Sequence, residues 1–155
     1  MTKQIETVRK TRTYLIEHVK DLNADQMNHI FAGFNNNIIW NLGHMVATQQ
    51  GICYKRAGLP VLISDNFWEK FRSGSKPQGF TGDIEIDYIK QMLLTCLDQL
   101  ERDYQFNKKI FDSYAAWTTR YGIELAGIDD GLEFLQFHEG LHSGTIMTMK
   151  RLLNA

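Results

Sequence analysis

Proline and cysteine are scarce in this chain of 155 residues, which has two of each. Pro60 and Pro77 fall in one stretch, so the segments before and after it lack the residue that most disrupts a helix. Cys53 and Cys96 lie far apart and form no CxxC pair. That excludes a disulfide framework and reads as buried thiols in a reducing compartment. Charge of one sign is not in excess, with 17 Lys and Arg against 18 Asp and Glu. The densest basic patch is Arg9, Lys10 and Arg12. It reads as a solvated helix face, and no long basic block exists to neutralise a nucleic-acid backbone. No apolar run approaches the roughly 20 residues needed to cross a bilayer. The first residues, MTKQIETVRKTR, lack the apolar core of a signal peptide. The expectation is a cytoplasmic protein with a small-molecule substrate and neither nucleic acid nor membrane as partner.

What is present points to helices. Hydrophobic residues make up 43% and charged residues 23%, which suits one globular domain over 1–155. Ile5, Val8, Leu15, Ile16, Val19 and Leu22 form a helical stripe, predicting a first helix over 2–21 that breaks at Asn23-Ala24-Asp25. Residues 26–35 read as an irregular connection or a short helical turn. Asn35, Asn36 and Asn37 are N-cap candidates for a second helix over 38–57, ended by Gly58 in the left-handed conformation with Pro60 beyond. Residues 59–83 form a long connection, in which Asp65 is expected to cap a short helix from Asn66 to Arg72; such loops are more often functional than idle. A third helix follows Thr81-Gly82-Asp83, with Ile89, Met92, Leu93, Cys96, Leu97, Leu100 and Tyr104 on its stripe. Residues 106–128 are the least periodic, and Arg120 to Leu125 reads as a short extended segment or a loop. Asp130 and Glu133 have capping-box spacing, predicting a last helix from there to about Leu153. The fold class is therefore all-α, a four-helix bundle with long second and third connections.

Chemistry concentrates near the C-terminus. His138 and His142 are four apart, so a helix puts both imidazoles on one face. The same seam holds Leu135, Thr145, Met149 and Leu152. Buried imidazoles need partners, and one shared divalent ion satisfies both. His44 is the third candidate ligand, because it shares a helix face with the small residues Ala47 and Gly51. Gly140 and Gly144 share a face of the last helix, which suggests close approach of another helix or of a ligand. His18, at a helix end, and His29, in the irregular connection, read as structural. His138-Glu139-x-x-His142 also matches a zinc-protease motif, but Ser143 to Ala155 supply no His, Asp or Glu as third ligand. A di-iron site would need inward-facing glutamates, and no carboxylate lies between Ile38 and Ala57. The pattern left is three neutral imidazoles with open coordination positions, a donor set suited to zinc or nickel and to chemistry rather than a closed structural site. Each ring then needs an acceptor for its other N–H, and Asn41 is a candidate. Glu139 either takes a proton at the site or faces solvent. Trp40 reads as core, with a wall of the pocket as the alternative role for it and for residues of the 59–83 connection.

Two segments carry a family resemblance. Gly33 to His44 contains Asn36-Asn37-x-x-Trp40-x-x-x-His44, and Gly122-Ile123-Glu124-Leu125 leads on to His138-x-x-x-His142 followed by small residues and an apolar tail. The sequence resembles the DinB/YfiT-like superfamily of metal-binding four-helix bundles along essentially its whole length. The resemblance implies an up-down-down-up bundle, a homodimer, and His44, His138 and His142 as the metal triad. It also implies a thiol-dependent S-transferase or a hydrolase, with a low-molecular-weight thiol as possible cosubstrate. The alternative expectation is a non-catalytic, metal-stabilised dimeric bundle acting as a stress-response or binding module.

Overall fold

The computed structural model describes residues 2–154. Four long helices dominate: α1 (Lys3–His18), α3 (Ile38–Gln49), α5 (Asp83–Phe106) and α6 (Ile128–Leu153). Two short helices join them, α2 (Ala24–Asn28) and α4 (Asp65–Phe71). Local chemistry explains their ends. Asn37 opens α3 by accepting the backbone N–H of Trp40 at 2.9 Å. Asn23 opens α2 through a reciprocal capping box with Gln26. Caps of this kind are worth about 1 kcal/mol each. The second long helix reaches Ala57 as expected but changes pitch on the way. After Gln49 comes a π-helical turn, Gln50–Tyr54, then a 3₁₀ turn, Lys55–Ala57, and Gly58 stops it at φ 68°.

Two expected caps are displaced. Ser64, not Asp65, caps α4, its hydroxyl accepting from Phe67 N at 3.1 Å. The last helix begins at Ile128, two residues before Asp130, with Gly127 at the N-cap. Asp130 instead reaches back and accepts from Ala126 N at 2.8 Å. The aperiodic stretch holds a two-residue antiparallel ladder, β1 (Trp117–Thr118) and β2 (Glu124–Leu125), pairing Trp117 with Leu125 and Thr118 with Glu124.

α1 and α3 each pack against both α5 and α6. The apolar interior divides into two clusters. One includes Leu15, Val19, Leu42, Met45, Leu93 and Met149; the other includes Ile5, Val8, Ile52, Leu97, Leu100 and Leu135. All four long helices contribute side chains near the boundary, and there three buried polar residues meet: Arg12, Gln49 and Glu139. Arg12 is 0% exposed, so its expected place on a solvated face is overturned. All its donors are used. Nε and Nη2 bond the two Glu139 oxygens at 3.2 and 2.7 Å, Nη1 bonds Gln49 Oε1 at 2.8 Å and the Leu93 carbonyl at 2.9 Å, and Nη2 also bonds the Met45 carbonyl at 3.0 Å. One side chain thereby ties α1 to α3, α5 and α6.

The glycines of α6 behave otherwise than expected. Gly140 and Gly144 are exposed, and a Cβ at either would meet nothing within 4 Å. Among the described residues, no other helix packs against them; packing of the opposite face carries α6 through both. Among the described residues, no helix is long and apolar enough to cross a membrane.

Candidate metal centre

His44 of α3 and His138 and His142 of α6 converge where these two helices pack. One ring nitrogen from each lies within 4.8 Å of the other two. The Nε2 atoms of His44 and His138 are 3.2 Å apart. Two nitrogens about 2.0–2.1 Å from one tetrahedral ion would lie roughly 3.3 Å apart, so this separation fits a shared cation.

The partners of the outer nitrogens set the tautomers. His44 Nδ1 lies 2.7 Å from the Phe71 carbonyl. A carbonyl only accepts, so Nδ1 carries the hydrogen and Nε2 keeps its lone pair. Phe71 comes that close because residue 43 is glycine: a Cβ there would sit 2.5 Å from Phe71 Cδ1. Trp40 stacks on the other side of the ring, with centroids 4.7 Å apart and planes 10° from parallel. It is buried, as expected of a core residue. His142 Nδ1 lies 2.7 Å from Asn41 Oδ1. The orientation of that amide follows from its own bonds, since Asn41 Nδ2 donates to Asn36 Oδ1 at 3.0 Å and to the Asn37 carbonyl at 2.7 Å. The asparagine run therefore caps α3 and also turns Asn41 toward His142, whose Nε2 is left to ligate.

His138 has no such latch: its Nδ1 is buried and, among the described residues, has no hydrogen-bond partner. Burial is the main reason all three imidazoles resist protonation, and the Arg120 charge adds to it at each. His138 is held well below the usual histidine range and His142 falls to about 3. Near neutral pH the cluster is therefore three neutral nitrogen donors, the state a metal requires. The residues fit a divalent ion, and among the described residues no carboxylate belongs to the group.

All three histidines line a cavity of about 620 Å³ walled by Trp68, Trp117 and Phe134 among others. Gly51 gives Trp68 its place there, since a Cβ at residue 51 would lie 2.8 Å from the indole. Of the small residues on the face of His44, Gly51 thus makes room for a wall of the cavity. Glu139 is absent from the lining. Its expected roles, proton acceptor at the site or solvent-facing residue, both give way to the buried ion pair with Arg12. Burial pushes its carboxyl upward and the Arg12 charge opposes that shift.

Cys53 and Cys96 are free and buried, and burial pushes their thiols up to about 12 and about 11. They are poor nucleophiles in that state. His18 ends α1 stacked on Tyr14, and His29 ends α2 edge-on to Phe31; neither joins the cluster. Sequence reasoning missed two supports. Arg12 fills the gap between Val8 and Leu15 in the apolar stripe of α1, and a cation at a core position is a readable signal. The Phe71 carbonyl is backbone and leaves no mark in the sequence.

Among curated proteins, none matches this sequence. The model of the DinB superfamily matches residues 7–146. That span holds all three histidines, Asn41 and Arg12 and covers most of the chain, which therefore belongs to the DinB superfamily.

Proposed function

We propose that the chain is a metal-dependent enzyme acting on a small molecule, a thiol-dependent S-transferase or a hydrolase, on an up-down-down-up bundle. One observation carries the reading: the lone pairs of His44 and His142 are latched toward a third imidazole at the wall of a cavity. His44, His138 and His142 would hold the ion, with zinc or nickel best suited to an all-imidazole set. Such an ion supplies Lewis acidity and lowers the pKa of a thiol or water beside it.

The chain's own residues supply orientation and exclusion of water. Phe71 and Asn41 hold two rings at fixed tautomers, so little reorganisation accompanies ligation. Trp68, Trp117 and Phe134 give the cavity apolar walls where a substrate body can displace solvent. The open side of the triad favours chemistry over a closed structural site. A homodimer, which the family resemblance implies, and a cytoplasmic location, expected from the two distant free thiols, complete the reading.

The test uses untagged protein. We expect about one divalent ion per chain by elemental analysis, loss of that ion in His138→Ala, and metal-dependent conjugation of a generic electrophile with a thiol. Sub-stoichiometric metal that does not change in His138→Ala would overturn the reading. Full metal without turnover, across thiols and ester substrates, would leave the site structural.

A further inference from the structure

The charge of the cavity wall points to what enters it. Lys55, Arg56, Arg72 and Arg120 line the cavity, and no Asp or Glu does. Arg72 is already paired, donating from Nε to Glu69 at 2.7 Å. Among the described residues, no carboxylate lies within ion-pair distance of Lys55, Arg56 or Arg120. These three instead rest on aromatic rings of the same cavity. Lys55 Nζ sits 4.0 Å from the centre of the Trp68 ring, Arg56 Cζ 4.5 Å from that of Trp117, and Arg120 Cζ 5.6 Å from that of Tyr121. A ring face holds a cation in place without neutralising it.

The backbone fixes where these cations stand. Lys55 and Arg56 lie on the 3₁₀ turn that follows the π-helical turn. Arg120 lies in the tight turn between β1 and β2. There Thr119 N donates to the Ile123 carbonyl at 2.8 Å, Gly122 N donates to the Thr119 carbonyl at 2.9 Å, and Gly122 takes φ 77°. Arg120 lines the same cavity as all three histidines.

We propose that the molecule this cavity accepts carries a carboxylate, held by Arg56 and Arg120 with Lys55 at the rim. The proposal rests on the metal reading above and names its substrate class. A divalent ion on three uncharged imidazoles, with unpaired guanidinium and ammonium groups on the same wall, is a concentration of positive charge with no protein anion to balance it. A neutral ligand would leave that charge unbalanced, a cationic one would add to it, and a carboxylate matches the fork of a guanidinium.

Three thiols of similar size and different charge test this on metal-loaded protein: 3-mercaptopropionate, 2-mercaptoethanol and cysteamine. Cobalt(II) serves as the ion, so that thiol binding is read by visible absorption and by calorimetry. We expect 3-mercaptopropionate to bind at least tenfold tighter than 2-mercaptoethanol, cysteamine to bind weakest, and the preference to shrink as salt rises. In Arg56→Gln/Arg120→Gln the preference should fall to within about twofold, with cobalt affinity unchanged or higher. Equal affinities of the three thiols for cobalt-loaded wild type would overturn the proposal and leave the metal reading standing. An undiminished preference in a folded, cobalt-loaded double variant would overturn the assignment to these arginines. Failure of wild type to take up cobalt or zinc would sink the metal reading, and this proposal with it.

Discussion

Arg12 and Glu139 form the most consequential residue pair outside the triad. Both are buried, and the guanidinium is fully satisfied by acceptors on three other helices. Burying such a pair gains little over apolar packing, but removing one partner strands a charge in the interior. Glu139 follows His138 directly, so the pair also clamps α6 at the level where its histidines face α3. Arg12→Met or Glu139→Leu alone should destabilise the fold by about 3–5 kcal/mol, lowering Tm by roughly 10 °C or more, measured by calorimetry. Arg12→Met/Glu139→Leu together should recover most of that loss. If the single substitutions shift Tm by less than about 2 °C, the clamp is not what holds this layer. The stripe of α1 already carried the clue, in Ile5, Val8, Arg12, Leu15 and Val19 at helical spacing. Reading charge as solvent exposure obscured it, because a partner 127 residues away leaves no local trace.

Among the elements, α3 and α4 make the triad possible together. Gly43 faces Phe71 so closely that a Cβ would overlap the ring, and the Phe71 carbonyl is what orients His44. Gly43→Ala should push α4 outward, cost about 1–3 kcal/mol as an overpacked contact, and loosen His44. The expected signature is a drop in metal affinity of about tenfold or more, the scale set by losing a hydrogen bond to a ligating ring. Calorimetric titration of zinc into wild type and Gly43→Ala checks it, and equal affinities would remove Phe71 from the account of the site. The long connection over 59–83 thus builds the candidate site: α4 within it carries the carbonyl that orients His44 and the indole that walls the cavity. Its cap was misplaced by one residue in the sequence reading because Ser64 and Asp65 are both good caps, and only backbone geometry chooses between them.

For the whole molecule, two apolar clusters meet at a polar boundary beside the candidate site, so site and stability are linked through protons. The sign follows from the histidines. Unfolded, an imidazole titrates near 6.5; folded, His142 resists protonation down to about 3, mainly through burial, and His44 and His138 shift the same way. Between those values the unfolded chain binds protons that the folded chain refuses. Stability of metal-stripped protein should therefore fall as pH drops from about 6.5 toward about 3. Thermal melts across that range check the trend. His142→Asn should flatten it, and a wild-type Tm that stays level from pH 6.5 to 4 would contradict the burial of these rings.

The sequence by itself determined the four long helices and the long second and third connections, and it singled out His44, His138 and His142 as candidate ligands. Periodicity, proline placement and the spacing of His138 and His142 are local properties that the backbone obeys wherever the chain sits. What only the tertiary structure decided was everything that depends on a partner distant in the chain. Asn41 belongs to His142, Phe71 to His44 and Glu139 to Arg12, while Arg120 overlooks the site from a hairpin that periodicity could not see. These pairings arise when packing brings helices into contact and buried polar groups take whichever partners lie within reach, a choice made in three dimensions and written nowhere along the chain.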